Sequence, residues 1–122
     1  MERTVSSKEL MEQIVKILDQ KKADDIRVIK IDNLTILADY FVIAGGSSNT
    51  QVRSLADEVD FQLGQQGIEP YKTEGYRSQN WIVLDYSDVV VHVFYRDTRE
   101  FYDLERLWAD GEQLDHSHLL TD

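Results

Sequence analysis

The sequence predicts a single α/β domain of the α+β kind, with a mixed central sheet of about five strands and helices packed on it. Two stretches, Leu10–Leu18 and Val52–Leu63, carry apolar residues at helical spacing. Four runs rich in β-branched residues, IRVIKID, YFVIA, WIVLD and VVVHVFY, lie between and after them. No repeat, linker or low-complexity segment divides the 122 residues, a length that closes one hydrophobic core.

Residues 1–5 are expected to fray. Ser6 and Glu9 have the spacing of a capping box, and Leu10, Met11, Ile14, Ile17 and Leu18 follow as one amphipathic helix of about four turns. The charged run DQKKADD ends it. Residues 26–32 are apolar on both alternations, so they predict a strand covered on much of both faces. NLTILA (33–38) either extends that strand or turns the corner. Residues 40–44 form an unbroken apolar strand that belongs near the centre of the sheet. Ser48 and Gln51 cap a second helix with the stripe Val52, Leu55, Ala56, Val59 and Leu63, which Gly67 stops. Ile68–Glu74 predicts a third strand, and Pro70, the only proline, sets its beginning at an edge. WIVLD (81–85) and VVVHVFY (89–95) are the strongest strand signals, joined by Asp85-Tyr86-Ser87-Asp88 as a tight hairpin. RDTREFYDLERLW (96–108) has mixed helical character. The order is α-β-β-α-β-β-β-α, with the domain spanning 1–109 and an acidic, mobile tail expected over 110–122.

In that hairpin Leu84 is expected opposite Val89. Ile82, Leu84, Val89, Val91 and Val93 then share one aliphatic face suited to lie under the helices. Trp81, Val83, Asp85, Asp88, Val90, His92 and Phe94 share the other. If both long helices sit on the first face, the second either lies open as an aromatic patch rimmed by acids or is covered by Phe101, Leu104 and Trp108. The two coverings can also share it.

Thirteen basic residues against twenty-three acidic ones give a net charge of −10. Such a surface repels a phosphate backbone and attracts basic partners, so little direct nucleic-acid binding is expected. The absence of cysteine excludes disulfides, thiolate zinc sites and cysteine nucleophiles. No apolar run approaches a membrane span and MERTVSSKEL has no signal-peptide core, so a cytoplasmic protein is expected.

The loop Gly45-Gly46-Ser47-Ser48 between a strand and a helix resembles the opening of a polymerase-β-like nucleotidyltransferase site, which holds two metal ions on paired carboxylates. Asp57, Glu58 and Asp60 fall instead on the solvent side of the second helix. The next strand offers Glu69 and Glu74 with no Asp-x-Asp pair, and the loop lacks a P-loop lysine. A structural corner is therefore expected: the glycines allow it and the serine caps the helix. His92 has no serine or cysteine nucleophile near it in sequence. His116 and His118 form an HxH pair with no third ligand, and the turn explains Asp85 and Asp88. No nucleophile–base–orienter set can be assembled, so no catalytic residue, metal or cofactor is expected.

DYFVIAGGSS, QVRSLADEV, EGYRSQNWIVLDYSDVVVHVF and FYDLERLWAD, in this order and spacing, resemble the ribosomal silencing factors, the RsfS, YbeB or Iojap family, over about residues 7–109. The resemblance implies a nucleotidyltransferase-like topology without the catalytic carboxylates. It implies binding to large-subunit ribosomal protein fourteen, a block on subunit joining, and lowered translation when nutrients are short. Organelle relatives assist large-subunit assembly. It carries the partner contact to Trp81, with Asp85 and Asp88 at the turn and Glu74 in the Glu-Gly step. Tyr95, Tyr86 and His92 complete the expected contact set. The competing expectations are a nucleotide-binding enzyme using Gly45–Ser48 and a homodimer formed through the open sheet face.

Overall fold

In the computed structural model, which describes residues 5–120, the two capped helices form where the spacing places them. Of the fraying residues, 1–4 lie outside that range. Helix α1 (Ser7–Gln20) starts at Ser6, whose Oγ accepts the Glu9 N–H at 3.1 Å. Helix α2 (Asn49–Gly64) starts at Ser48, whose Oγ accepts the Gln51 N–H at 3.0 Å. Each bond satisfies one of the free donors of a helix start. Both helices bury their stripes in one cluster.

Six strands form the sheet: β1 (Asp24–Lys30), β2 (Tyr40–Gly46), β3 (Lys72–Glu74), β4 (Trp81–Asp85), β5 (Val89–Tyr95) and β6 (Glu112–Gln113). Their order is β3-β4-β5-β2-β1-β6. The pair β2–β5 is parallel and the other pairs are antiparallel. The unbroken apolar runs thus take the middle, where both faces need cover. Helices α1 and α2 pack on one face, against Val28, Val42, Ala44, Ile82, Leu84, Val89, Val91 and Val93. The opposite face holds a smaller cluster of Ile29, Ile31, Ala38, Ile43, Phe94 and Leu104, with Phe41, Trp81, Val90 and Trp108 against it.

Several local expectations change. The first strand begins at Asp24, across an irregularity in its pairing with β2, while NLTILA takes the second of its two expected courses and turns the corner between β1 and β2. The third strand shrinks to Lys72–Glu74, at the sheet edge as Pro70 requires. The segment 96–108 splits into α3 (Arg96–Tyr102) and α4 (Leu104–Leu107), because Asp103 takes a left-handed conformation with φ +47° between them. Residues 110–120 are not a free tail. Strand β6 pairs with β1, and Leu119 is buried in the helix-side cluster. Leu114, Leu119 and Leu120 supply the apolar surface that holds this acidic stretch down.

The hairpin register also differs. Leu84 faces Val91, and Asp85 faces Val90, two residues along from the expected pairing. The turn is centred on Ser87 and Asp88: Tyr86 N–H donates to the Val89 carbonyl at 3.0 Å, and Ser87 has φ +78°. The Asp85 carboxylate accepts the Ser87 N–H at 2.8 Å and so shapes the turn. A shift of two residues preserves which side chains share a face, since the strand period is two.

Candidate functional site

Trp81 opens β4 on the face away from α1 and α2, where it pairs across the ladder with Phe94. Its indole stacks on Phe94 with centroids 4.7 Å apart and packs against Tyr102 of α3 at 4.9 Å. Its Nε1–H donates to His92 Nδ1 at 3.1 Å. Three neighbours from two elements thus hold the ring, yet it stays only half-buried. Ser78, Asn80, Asp97, Thr98, Phe101 and Tyr102 surround it as an open groove, with Phe101 and Tyr102 exposed.

Both coverings of this face occur together. Leu104 and Trp108 fold back over Ile29, Ile31, Ile43 and Phe94, and Trp108 meets Phe41 edge-on at 5.1 Å. Trp81, Val83 and Val90 remain half-buried beyond that cover.

The expected contact residues do not all meet. His92 is on Trp81's face but buried, packed edge-on against Phe41 at 4.8 Å, so it touches the indole from behind and offers no surface of its own. Burial holds its imidazole down to about 4, and accepting the indole proton leaves it neutral with its own proton on Nε2. Tyr86 is only 4% exposed and sits in the helix-side cluster; burial, then Asp60, raises its phenol well above the ordinary value. Its side chain is removed from any partner's reach. Tyr95 packs on that same helix side and does not share Trp81's face. Asp85 shares Trp81's face but ends β4, about 13 Å along the strand, and Asp88 lies in the turn beyond it. Neither rims the tryptophan. Glu74 faces Val83 and pairs with Lys72 at 3.3 Å. The carboxylate beside the indole is Asp97.

Asp97 and Tyr102 are the residues that sequence reasoning missed, and Phe101, expected as part of the cover, stands exposed at the groove instead. The signal was present in REFYDLERLW, whose aromatics did not fit one helical stripe because the helix breaks at Asp103.

The Gly45–Ser48 corner closes on itself. The Ser47 N–H and Oγ both bond the Gln51 side-chain oxygen, at 2.6 and 2.8 Å. A Cβ on Gly46 would lie 3.0 Å from a Val52 methyl, so a larger residue there requires the helix start to give by a few tenths of an ångström. The two donors of Ser47 are therefore taken within the corner itself. Beside the corner, at the ends of β2 and β5 where α/β sheets commonly bind ligands, lies a cleft that includes Asp24, Asp25, Arg99 and Glu105. Arg99 spans it, pairing with Glu105 at 3.0 Å and Asp25 at 3.7 Å. Asp57 pairs with Arg53, and Glu58 accepts from Gln62, along the solvent side of α2. His116 and His118 turn to different neighbours, the Leu114 carbonyl and Glu12. Among the described residues no three His, Asp or Glu side chains gather as a metal site, and no helix is long and apolar enough to cross a membrane.

The family model described as "Ribosomal silencing factor during starvation" matches residues 4–122. The ribosomal silencing factor RsfS of Halalkalibacterium halodurans is 39% identical over 107 residues, covering 88% of this chain and 92% of that protein. That of Bacillus subtilis is 37% identical over 111 residues, covering 91% and 94%. A crystal structure of a Chromobacterium violaceum protein superposes with a TM-score of 0.84 at 33% identity, covering 91% of this chain and 92% of that one. The match takes in the corner, the Trp81 hairpin and the C-terminal cover together, so the chain belongs to the ribosomal silencing factor family.

Proposed function

We propose that this protein docks on the large ribosomal subunit through the groove at Trp81, with ribosomal protein fourteen of that subunit as its contact. Occupying that surface blocks the small subunit from joining and lowers translation under nutrient limitation. The action is cytoplasmic and steric, with no bond made or broken.

The observation that carries this reading is the held, half-open indole. Phe94, Tyr102 and His92 fix its orientation before any partner arrives, which lowers the entropic cost of docking. A rigid aromatic anchor with an apolar floor and a polar edge is what a protein interface centre requires. The net charge of −10 steers the chain towards basic ribosomal proteins, with screening beyond about 8 Å at physiological salt. Asp97 provides the negative rim, and Glu74 lies further along the same face. The internally satisfied Ser47 and Gln51 speak against a nucleotide site.

The test is Trp81→Ala in co-sedimentation with purified large subunits. Loss of the anchor is expected to cost ~2 kcal/mol, about 30-fold in affinity, while circular dichroism keeps its shape. Wild-type protein is expected to travel with free large subunits and not with intact ribosomes. Unchanged co-sedimentation of the variant removes Trp81 from the interface.

A further inference from the structure

The loop joining β1 to β2 displays its apolar residues to solvent. Ile36 is fully exposed, Leu37 is 80% exposed and Leu34 45% exposed, three large aliphatic side chains within four residues. The loop is not slack. Ile31 and Ala38 are buried at its two ends, and the Ile31 N–H donates to the Asp39 carbonyl at 2.8 Å. The Ile31 carbonyl accepts from Leu34 and Thr35, and Thr35 Oγ1 accepts the Leu37 N–H at 3.1 Å. The Asp39 N–H donates to the Asp88 carbonyl at 2.7 Å, which ties the loop to the hairpin turn. Its anchored ends leave the apolar tip in water, where a contiguous cluster of this kind marks an interaction site more often than an isolated exposed leucine does.

This knob is separate from the tryptophan groove. Strand β5 begins opposite Tyr40, beside the loop, and reaches Trp81's partner Phe94 at its far end. The two features therefore stand roughly 17 Å apart along the sheet. Acids stand at the base of the knob: Asp32 and Asp39 within the connection and Asp88 in the adjoining turn, with Lys30 as the nearby cation. That charge selects the occupant. A second copy of the chain carries the same −10 and the same acidic base, so knob-to-knob pairing sets like charges together. Nucleic acid and anionic lipid meet the same repulsion. A basic protein gains from both the apolar tip and the acidic base.

We propose that the β1–β2 loop is a second docking element, its Leu34, Ile36 and Leu37 side chains seating in an apolar depression edged by lysine and arginine on a protein partner. The inference rests on the reading of the chain as a ribosome binder and adds a contact that Trp81 does not make. Two contacts at opposite ends of one rigid sheet fix the orientation of the docked chain as well as its affinity.

The test compares wild type, Ile36→Ser/Leu37→Ser, Asp32→Asn and Trp81→Ala for binding to purified large ribosomal subunits over a series of salt concentrations. The substituted residues of the loop are exposed, so melting temperatures are expected to stay at the wild-type value. The double serine variant is expected to bind at least tenfold more weakly, and Asp32→Asn to flatten the salt dependence. Wild-type affinity in the double variant, with Trp81→Ala impaired, overturns the loop inference and leaves the tryptophan reading standing. A serine variant that loses only self-association assigns the loop to a second copy and overturns the basic partner. Loss in the serine variant with an unaltered salt dependence in Asp32→Asn overturns the charge complementarity. Failure of wild type to bind overturns both readings.

Discussion

Replacing Gly75 by alanine tests how the tryptophan groove is built. Gly75 follows β3 with φ +89°, and a Cβ there would run into the Trp81 backbone carbonyl. The edge strand turns back against β4 at the residue that carries the anchor. A left-handed backbone costs an L-residue roughly 1–2 kcal/mol, and forcing an extra carbon into packed backbone costs about 1–3 kcal/mol more. The sum, about 2–5 kcal/mol, is to be read as the urea midpoint followed by far-UV circular dichroism. With a slope of about 2 kcal/mol per molar urea, the midpoint falls by roughly 1–2.5 M. Gly67→Ala is the control. Gly67 has a similar φ, +78°, but a Cβ there meets nothing within 4 Å, so only the backbone part applies. The difference between the two variants isolates the collision with Trp81. If Gly75→Ala is no more destabilising than Gly67→Ala, the steric account of the groove is wrong.

Three further outcomes follow from burial. His92 takes its proton at about 4 in the folded chain against 6.5 when exposed, so the unfolded chain binds more protons between those values. Stability is therefore full above about pH 6.5 and falls by roughly 1.4 kcal/mol per unit as pH drops towards 4. Urea midpoints at about pH 7, 6 and 5 are expected to show this slope in wild type and a shallower one in His92→Gln; parallel slopes would refute the assignment. Leu119→Ala is expected to cost about 2 kcal/mol, with a melting temperature lower by roughly 5–10 °C, because Leu119 is buried in the helix-side cluster. A chain cut after Ala109 should melt lower still, and an unchanged melt would show that residues 110–120 contribute nothing.

Much of the helix side was legible before any tertiary information. The Ser6 and Ser48 caps, the two stripes and the aliphatic face of the hairpin are each written within a few consecutive residues. The Ser47 bond to Gln51 is as local, four residues apart within the first turn, although the spacing legible there was only that of Ser48 and Gln51. The composition of the candidate site was less legible. Trp81 and the apolar residues of its face were evident, and the acids expected to rim it were Asp85 and Asp88, at the turn end of that face. The strand carries them to the far end, and Asp97 and Tyr102 take their place from a helix more than a dozen residues later. Tyr86, beside them in the turn, goes to the opposite face because its parity matches Leu84 and Ile82.

What the sequence by itself determined is therefore local: where helices begin, which side chains alternate to which face, and the sign of the surface charge. These depend on backbone period and on neighbours within a turn, and they hold whatever packs against them. Only the tertiary structure decided the hairpin register, the break at Asp103, the docking of residues 112–119 and the residues that surround the indole. A two-residue slip leaves the alternation of a strand unchanged, so parity cannot detect it. Which ends of which elements meet is set by loop conformation and by competition for buried surface, and neither is contained in a window of adjacent residues.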